Sequence, residues 1–168
     1  MELETKHLTL IPLTARRLEL WLTDLPALEQ ELGLRYEGEP LTGPLRSIFA
    51  GQLAPCRAHP EQLLWHTVWL LAHRGKHLVV GAADFKAPPC AQGRVELGYG
   101  LGPAHRGQGY MTEAVAAMTL WALSQPGVRA VTAETGRGNT ASQRVLTRCG
   151  FTLCRRGSSL WWEKRAQP

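Results

Sequence analysis

The sequence has few cysteines and no long apolar run. Its four cysteines form neither a C-x-x-C pair nor a dense framework, which argues against a structural metal site and against a disulfide scaffold. The longest apolar stretches, around 68–72 and 114–122, are too short or too interrupted to span a bilayer. The first residues lack the basic, apolar and small-residue pattern of a signal peptide. We therefore expect reduced thiols, no metal, no membrane partner and a cytoplasmic location. The cysteines are Cys56, Cys90, Cys149 and Cys154.

Length and composition indicate one folded domain over residues 1–168. Of the 168 residues, 44% are hydrophobic and 20% are charged, as in globular domains. The 19 basic residues exceed the 14 acidic ones and give a net charge of +5, which favours an anionic partner. A phosphate-bearing cofactor, nucleic acid and anionic lipid all satisfy this charge, so it does not choose among them.

The order of the predicted elements indicates a mixed α/β fold. The clearest helix is 110–124, because Met111, Ala114 and Met118 share one apolar stripe at helical spacing. The segment 36–60 is rich in glycine and proline, so we predict irregular chain there, with only 45–53 helical. The other predicted elements are a strand at 7–13, a helix through 24 capped by Thr14, a helix at 28–34, a hairpin of 67–73 and 77–85, strands at 94–101 and 128–134, a helix at 139–148 and closing strands at 150–151 and 160–163.

The residues between strand 94–101 and helix 110–124 have the features of a phosphate site. Gly107 and Gly109 allow successive backbone N–H groups to converge on an anion, and the helix adds its positive N-terminal end. Arg106 supplies a charge that can bind phosphate in bidentate fashion. The alternative is that the glycines only shape a turn. A P-loop and a dinucleotide fingerprint are excluded, because the required Gly-Lys-Ser/Thr ending and glycine spacing are missing.

Three short motifs, in this order along the chain, resemble the GNAT superfamily of N-acetyltransferases. Residues 106–111, RGQGYM, resemble its R-G-x-G-x-A signature; residues 139–142, NTAS, resemble its N-x-x-S; and residues 149–151, CGF, resemble its closing G-F. The opening at 7–13 and the run at 112–114 are similar to the RimJ/RimL-like branch, which acetylates ribosomal-protein N-termini and related amines. The motifs therefore identify a candidate family.

The resemblance implies a fold and a cofactor. The fold is a central sheet of about six to seven mostly antiparallel strands, whose fourth and fifth strands splay apart, with helices on its flanks. The cofactor is acetyl-CoA, whose pantetheine arm would pair with the backbone of strand 94–101 as an added strand does. Met111 stands where the family usually has alanine or glycine, and we expect it to pack beneath the helix. The resemblance assigns cofactor binding to Leu97, Gly98, Tyr99, Leu101, Arg106, Gly107, Gln108, Gly109, Tyr110, Met111, Asn139 and Ser142.

Transfer of an acetyl group to an amine needs a base that keeps the amine neutral, a polarised thioester carbonyl and a group that protonates the departing thiolate. By resemblance, Glu96 is the favoured general base, acting through a water, and Asp84 is the second candidate. Ser142 would lie near the coenzyme A sulfur and assist its departure. A backbone N–H near Leu97 or Gly98 would polarise the thioester carbonyl. The alternatives are a solvated carboxylate at Glu96 and an ordinary first helical turn at Ser142.

Other function classes stay open, and the acceptor amine is not determined. A chain that keeps the phosphate turn but lacks a working base would be an inactive acyl-CoA-binding module. The late arginines could form a nucleic-acid surface, but no recognised motif accompanies them, so we predict no nucleic-acid partner. A protein N-terminus, a small amine and an amino-sugar antibiotic all stay open as acceptors. The resemblance implies that the first helices and their loops decide among them, here 25–66, where the pattern is weakest. A tyrosine on a strand, such as Tyr99, is more typical of packing than of catalysis, and a homodimer is left open.

Overall fold

The computed structural model describes residues 1–168, and one nine-stranded sheet runs through it. The strands are β1 Leu3–Glu4, β2 Leu8–Pro12, β3 Arg35–Tyr36, β4 Val68–His73, β5 Leu78–Phe85, β6 Arg94–Leu101, β7 Ala130–Thr135, β8 Thr152–Arg156 and β9 Leu160–Arg165. The helices are α1 Ala15–Thr23, α2 Leu25–Leu32, α3 Gly43–Ala58, α4 Leu63–His66, α5 Tyr110–Leu123 and α6 Thr140–Arg148. The strand order is β1-β2-β4-β5-β6-β7-β9-β8, and β3 pairs with β5.

The sheet opens between β6 and β7. These two strands run parallel and pair only over 94–96 and 130–132, although β6 continues to Leu101 against β5. Beyond Glu96 one edge of β6 therefore has no strand partner. The predicted mixed, mostly antiparallel sheet with a splayed pair is confirmed. The sheet has nine strands rather than the six to seven expected, because it also includes β1 and β3, which have two residues each.

Alternating side chains of the sheet build a separate core on each face. In β4, Trp69 and Leu71 pack in the core that contains α5, whereas Val68 and Leu70 pack in the core that contains α1 and α3. Such alternation is expected of a strand buried on both faces. No helix of the protein combines the length and the apolar character needed to cross a bilayer.

Side-chain caps set the start of the first two helices. Thr14 accepts a hydrogen bond from the N–H of Arg17 at 3.2 Å, as predicted. The second helix begins at Leu25 rather than at the predicted 28, because Asp24 caps it by accepting from the N–H of Ala27 at 3.2 Å. An aspartate directly before Leu25, with proline directly after that leucine, was the signal for this earlier start.

The segment 36–60 is not irregular as predicted, since it contains the 16-residue helix α3. Pro44 lies in the first helical turn, where a missing N–H costs nothing, and Pro55 lies near the end of the helix. The buried side of α3 carries Phe49, Gln52 and Cys56 at helical spacing. Gln52 interrupts the apolar stripe, which concealed the helix in the sequence.

Glu113, in the first turn of α5, ties the N-terminal strands to that helix. Its carboxylate accepts hydrogen bonds from Oγ1 of Thr5 at 2.8 Å and from the N–H of His7 at 3.1 Å, and it lies 2.6 Å from Nδ1 of His7. Burial alone raises the pKa of Glu113, but these bonds outweigh it and bring the pKa below its ordinary value. The ionised carboxylate therefore stabilises the packing of β1 and β2 on α5.

Replacing Glu113 with glutamine should lower the free energy of unfolding by about 1–3 kcal/mol at about pH 7, as for bonds to a charged acceptor. Because the folded-state pKa is lowered, this stabilisation is present above the unfolded-state pKa and is lost as pH falls through the folded one. Urea unfolding at about pH 7 and about pH 3 should show the difference shrinking in acid. The exposed Glu2→Gln is the control, and an equal loss at both pH values would contradict a role for the charge.

Candidate functional site

A cleft of about 590 Å³ follows the open edge of β6. It lies between the end of β6, the N-terminal end of α5 and the first turns of α6. Most of the residues predicted for the cofactor line it, although they come from three separate parts of the chain. The lining consists of Glu39, Tyr99, Gly100, Leu101, Arg106, Gly107, Gly109, Met111, Thr112, Asn139, Ala141, Ser142, Arg144, Val145 and Arg148.

The turn before α5 holds a row of unpaired N–H groups. Gly107 and Gly109 have φ angles of 76° and 82°, in the left-handed region that glycine adopts without penalty. The backbone N–H groups of 106–112 make no hydrogen bond within the protein. The dipole of α5 adds positive potential at the same place. Such an arrangement binds phosphate oxygens.

The open edge of β6 presents alternate backbone groups to the cleft. The C=O of Glu96 accepts from the N–H of Lys86, directly after β5, and the N–H of Gly102 donates to Val80 of β5, so the even-numbered residues between them face that strand. Gly98 therefore directs its N–H toward β5. Of the two N–H groups considered for polarising a carbonyl, only that of Leu97 points to the open side of β6, although neither Leu97 nor Gly98 lines a cavity. The residues whose backbone groups face the open side are Leu97, Tyr99 and Leu101.

The hydroxyl groups of Tyr99 and Ser142 lie 2.7 Å apart in the cleft. Ser142 is in the first turn of α6, where its N–H donates to Oδ1 of Asn139 at 3.1 Å, so the helix cap fixes the serine. Burial raises the pKa of Tyr99, and the hydrogen bond to Ser142 acts in the opposite direction. Tyr99, which the resemblance assigned to cofactor binding and not to catalysis, is therefore a neutral hydroxyl in contact with the predicted catalytic serine.

Three arginines, Arg106, Arg144 and Arg148, line the cleft. Of these, only Arg106 was predicted to bind the cofactor. Arg144 and Arg148 lie four residues apart on α6 and share one face of that helix. No carboxylate of the protein forms an ion pair with any of the three. Their spacing after the cap at Asn139 was the signal that could have placed Arg144 and Arg148 here.

A smaller cavity of about 90 Å³ lies on the other face of β6. It is enclosed by β5, β6, α3 and the loop that follows β3. The two cavities share Glu39, Tyr99 and Gly100, so they meet at one point. The other lining residues are Tyr36, Leu45, Ile48, Phe49, Ala82, Asp84 and Lys86.

The two candidate bases differ in their surroundings. Burial raises the pKa of Glu96, Lys86 opposes the rise, and the charges of Glu134 and Asp84 add to it. Asp84 is 2% exposed, accepts a hydrogen bond from Nε2 of Gln52 at 2.7 Å and lies 3.5 Å from Nζ of Lys86. Glu96 is half-buried and lines neither cavity. The pKa of Glu96 is thus displaced in the direction that suits a base, while Asp84 is engaged by two partners.

The loop after β3 packs closely against glycines at the end of β6. A side chain at Gly100 would overlap the carboxylate of Glu39, and one at Gly102 would overlap the backbone C=O of Glu37. His105, which is 7% exposed, brings Nε2 to 2.7 Å from Oε2 of Glu37. The loop is therefore attached to the turn that carries the unpaired N–H groups.

Tyr110, Met111 and Gln108 were predicted to bind the cofactor, and they differ from one another in burial and in whether they line the cleft. Tyr110 is 6% exposed and packs its ring against His7 and His73, so it supports the start of α5. Met111 is also 6% exposed and packs under the helix at the edge of the cleft, as expected. Gln108 is exposed and lines neither cavity. No group of side chains in the protein is arranged to hold a metal ion.

The fold and the cleft together define a class of protein. A sheet opened between two parallel strands, with unpaired N–H groups and arginines along the opening, is suited to a long ligand that carries phosphates at one end. The chain belongs to the acetyltransferase (GNAT) domain family, whose sequence model matches residues 7–152. The family inferred from the three motifs is confirmed.

Individual relatives agree with this assignment. An uncharacterized N-acetyltransferase, YjdG of Bacillus subtilis, is 33% identical over 85 residues, and the match spans about half of each protein, 51% in both cases. The ribosomal-protein-S5-alanine acetyltransferase of Vibrio fischeri has the same fold, with a TM-score of 0.69 and 14% identity over 99% of this chain and 97% of that one. The structure of the acetyltransferase yncA of Salmonella typhimurium, solved with acetyl-CoA, matches with a TM-score of 0.56 and 22% identity. This match covers 71% of this chain and 74% of that one.

Replacing Gly102 with alanine should lower the free energy of unfolding by about 1–3 kcal/mol, because the new methyl group meets backbone that cannot move aside cheaply. The matched control is Gly51→Ala in α3, where a Cβ meets nothing within 4 Å and should stabilise by about 0.5–1 kcal/mol. Urea unfolding measures both. Wild-type stability in Gly102→Ala would show that the loop does not pack closely against β6.

Proposed function

We propose that this protein is an acetyl-CoA-dependent N-acetyltransferase that acts on a primary amine by direct attack in a ternary complex. The observation that carries the proposal is the row of unpaired N–H groups at 106–112 beside the open backbone edge of β6. Membership of the acetyltransferase family supports it, as does the solved complex of a protein of the same fold with acetyl-CoA. The acceptor is a protein N-terminus or a small amine.

The residues of the cleft fit acetyl-CoA along its length. The unpaired N–H groups and the charge of Arg106 suit the pyrophosphate. Arg144 and Arg148 add positive charge for the remaining phosphate, and the N–H and C=O groups of Leu97, Tyr99 and Leu101 suit the amides of the pantetheine arm. Acetyl-CoA would supply an acetyl group already activated as a thioester.

Replacing Gly109 with tryptophan should abolish acetyl-CoA binding, because the side chain would occupy the phosphate turn. Titration calorimetry of the wild type should give about one site per chain, as expected for a single preformed cleft. The matched control is Gly127→Trp, since Gly127 is also exposed, has a φ of 79° and has open space around its Cβ position. Absence of wild-type binding would refute the cofactor assignment.

A primary amine that arrives as the ammonium ion loses two protons in all, one to become nucleophilic and one as the amide forms. As the C–N bond forms and the C–S bond breaks, we assign one proton to Glu96, from which it passes to solvent, and the other to the departing sulfur. We assign delivery of the second proton to Ser142, and its hydrogen bond with the hydroxyl of Tyr99 supports this role. The raised pKa of Glu96 makes it a stronger base when ionised.

Replacing Glu96 with glutamine should leave acetyl-CoA affinity unchanged and lower kcat by about 100-fold or more. The wild-type rate should fall as pH drops through the raised pKa of Glu96, since the protonated carboxyl cannot accept a proton, and the variant should lose this acidic limb. The amine is chosen by screening peptides with free N-termini and small amines against the wild type.

Asp84→Asn is the comparison for this experiment, because Asp84 is the rival base. We expect it to retain the acidic limb of the pH profile. If Asp84→Asn loses the limb and Glu96→Gln keeps it, the roles are reversed. Acetyl-CoA binding with no transfer to any amine screened would favour the inactive acyl-CoA-binding module.

A further inference from the structure

The point where the two cavities meet is occupied by a carboxylate. Glu39 lines both cavities, and its side chain lies against Gly100, where any Cβ would overlap it. Gly100 belongs to the strand whose other backbone groups face the cofactor cleft. A group bound by Glu39 would therefore lie between the proposed thioester path and the smaller cavity.

The carboxylate of Glu39 has no partner within the protein. No hydrogen bond or ion pair includes its side-chain oxygens, although it is half-buried. The neighbouring acidic groups are different, because Glu37 contacts His105 and Arg35, and Asp84 contacts Gln52 and Lys86. A half-buried carboxylate without a partner gains most from a cation or a hydrogen-bond donor brought by a ligand.

The backbone around Glu39 is held before any ligand arrives. Its C=O accepts a hydrogen bond from the hydroxyl of Tyr36 at 2.7 Å, and the N–H of Glu37 donates to the C=O of Val79 at 2.8 Å. The contact between Glu37 and His105 fixes the loop from the other side. Three separate contacts thus fix the backbone that carries Glu39, which reduces the cost of ordering it when a ligand binds.

The walls of the smaller cavity indicate what kind of molecule would carry a cationic group to Glu39. Leu45, Ile48 and Phe49 of α3 form an apolar wall, and Ile48 is unusually exposed at 50%. The opposite wall carries Lys86, whose ammonium lies 3.5 Å from Asp84. An apolar chain would cover the α3 wall, whereas a second ammonium group would lose hydration against that wall. The opposite charges of Lys86 and Asp84 offset each other.

We propose that Glu39 selects the acceptor by binding the ammonium group of a monoamine whose short apolar chain lies against α3. This rests on the proposed acetyltransferase function and names the acceptor class for it. Glu39 holds the amine beside Gly100, next to the proposed path of the thioester. Diamines bind less well, because their second charge would lose hydration against the apolar wall of α3.

The test uses n-pentylamine as the probe and n-pentanol as its uncharged counterpart. Calorimetry on the full-length protein saturated with coenzyme A, which cannot react, should show the amine binding more tightly than the alcohol and than 1,5-diaminopentane. In Glu39→Gln the affinity for n-pentylamine should fall at least tenfold, whereas the affinity for coenzyme A should stay within twofold. The exposed Glu61→Gln is the matched control and should change neither affinity.

Turnover with acetyl-CoA separates this inference from the function on which it rests. In Glu39→Gln the KM for n-pentylamine should rise at least tenfold with little change in kcat, and Glu39→Asp should recover part of the loss. Wild-type acetylation of a peptide N-terminus without binding of n-pentylamine, or an unchanged KM in Glu39→Gln, would overturn the role of Glu39 and leave the enzyme function standing. No coenzyme A affinity in the wild type would overturn the function itself.

Discussion

The separation of β6 from β7 beyond Glu96 is the constraint on which the rest of the structure depends. Up to that residue the two strands pair, and beyond it the backbone groups of Leu97, Tyr99 and Leu101 have no strand partner. Unpaired backbone groups inside a sheet are costly unless water or a ligand bonds to them. Residues of α5 and α6 line the opening, and β7 is held along its other edge by pairing with β9 over its full length. The cleft exists because the sheet does not close.

The same strand also organises the opposite face of the sheet. Because glycine occurs at 98 and 100 in β6 and at 102 directly after it, the loop after β3 and the side chains of Asp84 and Lys86 approach the strand closely. Larger side chains would push this loop away and would break the contact between Glu37 and His105. One strand thus positions a phosphate turn at its end, a backbone edge along one side and a carboxylate above Gly100. Local sequence and long-range packing agree at this point.

The sequence predicted the parts of the site that depend on local chemistry. The glycines at 107 and 109, the cap at Asn139 and the strand before α5 act within a few residues, so their pattern could be interpreted without a structure. Glu39 could not be assigned in this way, because its place is set by contacts between distant segments. The helix α3 was missed for a third reason: its proline residues and Gln52 obscured a stripe that packing, rather than propensity, stabilises.

The two faces of the sheet separate two electrostatic tasks. Along the open edge Arg106, Arg144 and Arg148 have no acidic partners, which suits phosphates. On the other face Glu39 has no basic partner, which suits an ammonium group. Opposite charges placed on the same face would have paired with each other and left neither free for a ligand. The strand β6 separates these charges, and the two cavities meet beside Gly100, where the strand has no side chain. A cationic acceptor and an anionic donor would therefore approach each other through the sheet, with the reacting groups beside its backbone.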